Sequence, residues 1–388
     1  MPRVGIIGGG ITGLGLARDL AMRGLDVHLF ERGSIGQETS SHTHGVLHSG
    51  ARYAVKDPAA AKHCIQENRV LRDIAPHAVE DTGGLFLTVQ GDSQSYRQEK
   101  LRACRECGIP VEEQDPSTVL DRHPYLTDDL KGAFAVPDAV FDPVKLMRST
   151  AASAIDHGAA IHAATTVANI NVAGSRATSV TARQDGEVHD VELDYVINAA
   201  GPWAGKVAAL AGLDVPMRPT KGVMTVVDHG VDAVLNRCRP TDDGDIVLPS
   251  QDGAVIGTTS IEVDDPDDFP RDPDEERLML QEGGAMVPEI EGATAERSYW
   301  GLRPLYSGAK ETRDVTREFF LLDHADDGLE RMCTVVGGKF TTHRYMAERT
   351  ADRVCQTLGV DARCVTDENV LPVEDKLDDL FDGVSWPP

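Results

Sequence analysis

Lysine is scarce: only 10 of the 38 basic residues are lysine, set against 63 acids, and the formal charge is -25. So negative a balance excludes a general nucleic-acid binder, because a phosphate backbone needs a net basic face. Long apolar runs are also missing. No stretch of about 18 apolar residues is present to cross a bilayer, and the first apolar stretch, Val4 to Ile7, breaks into glycines too early for a signal peptide. The expected location is the cytoplasm. A disulfide framework is excluded as well, since the seven cysteines are an odd number scattered at Cys64, Cys104, Cys107, Cys238, Cys333, Cys355 and Cys364. The acid runs Asp264, Asp265, Asp267, Asp268 and Asp272, Asp274, Glu275, Glu276 read as solvated surface. An acidic, lysine-poor surface suits a high-salt cytoplasm, where screening removes self-repulsion. Any anionic ligand would need positive charge gathered locally.

At 388 residues and 41% hydrophobic content, the chain is long enough for about two domains and an enclosed cofactor. Arg3 to Gly8 reads as a buried strand, Ile11 to Arg23 as a helix and Asp26 to Phe30 as a second strand. Between the first strand and the helix stands Gly8-Gly9-Gly10-Ile11-Thr12-Gly13. The first glycine permits a tight turn, the second lets amides approach a diphosphate, and the third lets the helix pack on the strand. Glu31 follows at the spacing of a ribose-binding acid, which favours FAD or NAD over NADP. Near the other end, Arg331 to Val336 reads as a strand, Gly337-Gly338-Lys339 as a turn and Phe340 to Leu358 as a helix. That helix would point a second amino terminus at a ligand; an ordinary strand-to-helix turn is the competing reading of the segment taken alone. Cys104 and Cys107 have CxxC spacing but sit on an amphipathic helix, Gln98 to Cys107, and read as packing. His42, His44 and His48 lack the cysteine or carboxylate set that would complete a metal site, so no metal is expected.

Four segments are recognisable together: His44-Gly45-Val46-Leu47-His48-Ser49-Gly50-Ala51-Arg52-Tyr53, Asn198-Ala199-Ala200-Gly201-Pro202-Trp203, Gly301-Leu302-Arg303-Pro304-Leu305 and Gly337-Gly338-Lys339-Phe340-Thr341-Thr342. The chain resembles the FAD-dependent glycerol-3-phosphate dehydrogenases. Asn236-Arg237-Cys238-Arg239-Pro240 and Ile256-Gly257-Thr258-Thr259-Ser260 look most like the A subunit of the anaerobic form, and the match runs from Val4 to about Pro372. The resemblance implies an α/β fold, α+β overall: a discontinuous Rossmann-like FAD-binding domain with an inserted antiparallel-sheet substrate domain. The FAD portions are expected at 1-80, 135-215 and 295-365, the substrate domain at 81-134 and 216-294, and an acidic tail at 366-388. Strands at Gly84 to Val89, Gly132 to Val136, Gly222 to Val227 and Ile246 to Thr258 would build the inserted sheet. Asp142-Pro143 marks a boundary, with Asp capping a helix whose first turn begins with proline.

The resemblance also implies a reaction. Oxidation of sn-glycerol 3-phosphate to dihydroxyacetone phosphate would pass the C2 hydride to flavin N5, and the electrons onward to a quinone through partner subunits at the inner face of the membrane. The implied cofactor contacts are Gly8, Gly10, Ile11, Thr12, Gly13, Glu31, Arg32, Thr39, Ser40, His44, Val46, Val167 (a backbone contact to adenine), Ala200, Gly201, Gly338, Lys339, Phe340 and Thr341. Arg52, Tyr53, Arg303 and Lys339 map to the substrate, and His48, Arg303 and Lys339 to the chemistry. Arginine grips phosphate through two parallel hydrogen bonds and lysine adds a compact charge. The proton acceptor stays open between His48 and Lys221. His343 stands where relatives place tyrosine and Val223-Met224 where the aerobic form has a histidine, and the further carboxy-terminal domain of longer relatives is not expected. Two rival readings remain: a dehydrogenase of a 2-hydroxy acid such as L-2-hydroxyglutarate, or of an amino acid, and a non-catalytic flavin electron-transfer subunit. The three cations Arg52, Arg303 and Lys339 favour the phosphate substrate over both.

Overall fold

The computed structural model describes residues 1–307, 318–373 and 376–388. Its mixed α/β architecture is built on two large sheets. The first has six strands in the order Phe319–Asp323, Met332–Gly337, Tyr195–Asn198, Arg3–Ile7, Asp26–Phe30 and Ala160–His162. All neighbours are parallel except the edge strand Phe319–Asp323. Val4, Gly5, Ile6 and Ile7 are buried, as a central parallel strand covered on both faces requires. Helix Ile11–Met22 buries Leu14, Leu16, Ala17 and Leu20 completely, packed between helices Pro143–Asp156 and His343–Leu358. Asp142 caps the former, accepting from the amides of Val144 and Lys145 at 2.9 and 3.0 Å.

The second sheet runs Ile261–Glu262, Thr220–Val227, Gly253–Gly257, Ile246–Ser250, Val234–Arg237, Gly84–Thr88, Gly132–Val136 and Glu112–Gln114, with Ala295–Arg303 pairing Thr220–Val227. It is antiparallel except for the parallel pair Val234–Arg237 and Gly84–Thr88. The single strand expected from Ile246 to Thr258 is a hairpin, Ile246–Ser250 and Gly253–Gly257. Gln251 and Asp252 make its turn, and Gly253 at φ +117° takes a conformation open to glycine. Residues 295–303, expected in a cofactor portion, lie in this second sheet, where Arg303 pairs with Thr220. Two three-stranded sheets accompany them: Thr166–Ala173, Arg176–Gln184 and Glu187–Glu192, and Val46–Leu47, Ala139–Phe141 and Val79–Glu80.

Cys104 and Cys107 lie on or at the end of helix Gln94–Glu106 and are buried with Leu101, Ile109 and Phe134. Residues 374–375 of the acidic tail expected at 366–388 lie outside the described residues. Residues 376–388 do not project from the molecule: Phe381 is 2% exposed in the main core and Trp386 is half-buried. Among the described residues no helix is long and apolar enough to cross a membrane.

Candidate active site

A cavity of about 480 Å³ runs between the two sheets. Its floor is the turn after the first strand. Gly8 has φ +113°, and a Cβ on Gly13 would stand 1.9 Å from the Gly8 carbonyl oxygen, so the helix closes on the strand only because that side chain is missing. Among the described residues no side chain caps the helix at Gly10, and Ser40 Oγ reaches its first turn, accepting from Ile11 N at 3.0 Å. The open end of the helix carries partial positive charge toward the cavity, the chemistry a diphosphate needs. Glu31 is fixed by the amides of Gly9 at 2.7 Å and Gly33 at 3.0 Å, one on each carboxylate oxygen. Each oxygen keeps a further lone pair for a ribose hydroxyl.

Gly8, Gly10, Ile11, Thr12, Glu31, Arg32, Thr39, Ser40, His44, Val46, Val167, Ala200, Gly201, Gly338, Lys339, Phe340 and Thr341 all line the cavity. Gly13 stands behind the wall in the helix. A second strand, turn and helix of the same sheet also meets the cavity, as Met332–Gly337 leads through Gly337 and Gly338 (φ +83° and +72°) into the short turn Phe340–Thr342 and helix His343–Leu358, which packs beside helix Ile11–Met22. These features fit an extended dinucleotide bearing a diphosphate in its middle.

One end of the cavity gathers polar and basic side chains. Lys339 Nζ lies 4.5 Å over the Tyr53 ring, Tyr53 Oη is 3.5 Å from His48 Nε2, and the His44 and His48 rings meet edge to face at 5.3 Å. His48 is 4% exposed. Asp138, itself buried, holds the next residue by accepting from Ser49 N at 2.6 Å, and burial pushes the Asp138 carboxyl above the usual carboxylate range. Burial, reinforced by the charges of Arg52 and Arg303, pushes the His44 imidazole down to about 3. The amide of Val46 donates to His44 Nδ1 at 3.1 Å, so the neutral ring carries its proton on Nε2. Arg303 lines the same end, donating through Nη2 to Thr258 Oγ1 and, at 3.0 Å, to the Thr259 carbonyl.

Two basic residues behave differently from their sequence expectation. Arg52 is absent from the cavity lining and faces Asp245 at 3.5 Å, a fully buried carboxylate that also accepts from Arg239 at 2.8 Å. Lys221, weighed as a proton acceptor, is 2% exposed and donates to Glu275 and, at 2.6 Å, to the Pro270 carbonyl. Glu275 is 5% exposed, which corrects its reading as solvated surface; a lone carboxylate would not be buried, but one paired with a lysine can be. Asp265 and Asp267 are also tied down, to Lys206 at 2.7 and 2.6 Å. Sequence reasoning missed Gly222, Met224, Thr258, Trp203 and Lys206 among the lining residues. Thr258 and Trp203 stand inside recognised segments, and Gly222 and Met224 beside or at positions already singled out there, so all four were within reach of the sequence; Lys206 carries no local signal.

The fold and the glycine-framed cavity define a dinucleotide-binding protein. The chain belongs to the FAD dependent oxidoreductase family, whose model matches residues 3–353. It is 48% identical to the A1 subunit of the anaerobic glycerol-3-phosphate dehydrogenase of Haloferax volcanii, covering 96% of this chain and 66% of that one. It is 41% identical to the corresponding A subunit of the anaerobic glycerol-3-phosphate dehydrogenase of Escherichia coli K12, covering 95% of this chain and 69% of that one. The glycerol-3-phosphate dehydrogenase of Bacillus halodurans, solved with FAD, superposes with a TM-score of 0.72 at 24% identity over 96% of this chain and 68% of that chain. This chain therefore spans about two thirds of the length of these relatives.

Proposed function

We propose that the protein oxidises sn-glycerol 3-phosphate to dihydroxyacetone phosphate. The observation that carries this reading is that Arg303 and Lys339 both line the cavity, in a chain whose formal charge is -25. Two cations concentrated there, beside a neutral His44, suit a dianionic phosphate better than a single carboxylate. The names of two relatives at 41% and 48% identity, both subunits of anaerobic glycerol-3-phosphate dehydrogenases, support the same substrate. Bound FAD supplies the hydride acceptor.

The protein's own groups do the rest. Arg303, steadied by Thr258 and Thr259, grips the phosphate, and Lys339 adds charge near substrate and cofactor. Tyr53 offers its hydroxyl. His48 accepts the proton of the C2 hydroxyl; its buried imidazole beside Tyr53, the ring that Lys339 covers, supports that role. Lys221 is set aside from that role because its ammonium is committed to Glu275. Arg52 contributes through Asp245 and its field rather than by direct grip. Electrons leave to a quinone through partner subunits at the inner face of the membrane, in keeping with the naming of the relatives as subunits.

Anaerobic addition of glycerol 3-phosphate to the purified yellow protein in molar KCl is expected to bleach the flavin band, and L-2-hydroxyglutarate to leave it intact. Bleaching by the hydroxy acid alone would sink the phosphate reading, and bleaching by neither would sink the dehydrogenase reading.

A further inference from the structure

Residues 34–44 form no strand or helix, yet nearly all of them line the cavity. The second sheet holds them from one side. Thr39 Oγ1 donates to the Leu302 carbonyl at 2.8 Å, Tyr299 Oη donates to the Thr43 carbonyl at 3.1 Å, and a Cβ on Gly301 would stand 2.1 Å from the His42 carbonyl oxygen. From the other side they are held by residues 376–388. At the start of the segment Ile35 N donates to the Leu380 carbonyl at 2.8 Å, and at its end Trp386 Nε1 donates to the Thr43 carbonyl at 2.9 Å. The indole also covers Gly45, where an added Cβ would lie 2.2 Å from Cζ2. Gly45 has φ +83°, a left-handed conformation that favours glycine, so the turn has no side chain of its own to pack there. The bracing segment is itself fastened: Phe381 is in the core, and Arg148 both pairs with Asp378 at 2.9 Å and lies 5.0 Å over the Phe381 ring.

We propose that Trp386 is a positioning residue for the cofactor, holding the turn Thr43-His44-Gly45-Val46 so that His44 and Val46 present a fixed wall to FAD. The Thr43 carbonyl takes one donor from the strand that carries Arg303 and a second from Trp386, so the indole also ties the cofactor turn to the substrate strand. Without the indole, Thr43 keeps only Tyr299 and the space over Gly45 empties. The turn then gains freedom that FAD has to remove on binding.

The proposal rests on the FAD reading of the cavity, and its test uses no substrate, so a failure of the glycerol 3-phosphate reading leaves it intact. Apoprotein is titrated with FAD by flavin fluorescence, and the visible circular dichroism of the bound flavin is recorded, for the wild type, Trp386→Ala and Trp386→Phe. Trp386→Ala is expected to raise the Kd for FAD about ten-fold or more and to change the dichroism. Trp386→Phe keeps a ring on Gly45 and loses only the bond to Thr43, so it is expected to recover most of the affinity, with a Kd about three-fold above wild type. In both variants the melting temperature of the apoprotein is expected to stay near that of the wild type. An alanine variant with wild-type affinity and dichroism overturns the proposal, as does a loss of affinity that only tracks a lowered apoprotein melting temperature. Should the alanine variant not fold, the phenylalanine variant decides: a raised Kd with an unchanged apoprotein melting temperature supports the proposal, and an unchanged Kd overturns it.

Discussion

Gly222 lies beneath the guanidinium of Arg303. A Cβ built there would stand 2.2 Å from Thr258 Oγ1, 2.7 Å from Arg303 Nη2 and 2.7 Å from the Thr259 carbonyl oxygen, so three groups share the space one methyl would take. Gly222→Ala is expected to displace Arg303 by a fraction of an ångström to about 1 Å, with a fall in kcat/KM for glycerol 3-phosphate on the order of 100-fold. FAD content should be unchanged, because the added methyl meets Thr258, Arg303 and Thr259 and not the glycine turns at Gly8 and Gly338. Steady-state assays with a dye acceptor measure this, and wild-type kinetics would remove Arg303 as the phosphate grip. The sequence offers Lys221 as a candidate proton acceptor, and nothing local says that the lysine is buried. Its partner Glu275 lies 54 residues away in an acid run that reads as surface. Arg52 and Asp245 likewise meet across 193 residues. Gly8, Gly13 and Glu31 were legible because their constraints act within one strand, turn and strand, where spacing alone carries the geometry.

The loop that follows strand Ile261–Glu262 links the two sheets over one end of the cavity. Asp267 accepts from Trp203 Nε1 at 2.7 Å, Lys206 at 2.6 Å and Arg32 at 3.2 Å, while Asp265 takes Lys206 at 2.7 Å. Arg32 lies 4.5 Å over the Trp203 ring, and all three partners line the cavity with Glu31 and Val167. An acid run is therefore a clasp over the expected adenosine end, which composition could not distinguish from solvated surface. Each exposed pair contributes about 0.2–1 kcal/mol and is screened by salt. Asp267→Asn is expected to speed FAD release a few-fold in low salt, and its rate should converge on wild type as KCl rises. Release into excess apo-acceptor protein, followed by fluorescence, tests this; equal rates at every salt concentration would show that the clasp does not retain the cofactor. The same limit applies to whole strands. Gly132–Val136 was readable from its apolar run, whereas Ala295–Arg303 belongs to the second sheet through pairing with Thr220–Val227, a partner about 75 residues earlier that no local pattern names.

Across the whole molecule, 63 acids face 38 basic residues, and on the proposed function Arg303 and Lys339 would hold an anion against that background. Self-repulsion of so acidic a chain destabilises the compact state, and screening tightens from about 10 Å at 0.1 M salt to about 3 Å at 1 M. The melting temperature of the apoprotein is therefore expected to rise between low salt and molar KCl. The clasp at Asp267 responds in the opposite sense, because its attractions are screened by the same ions. The two scales separate in one experiment, a KCl series that records melting temperature and FAD release together. Global stability should climb while the difference in release between wild type and Asp267→Asn shrinks. A melting temperature that stays flat or falls would mean that the surface pairs outweigh the net charge, and local geometry rather than the overall field would then govern how this protein keeps its cofactor.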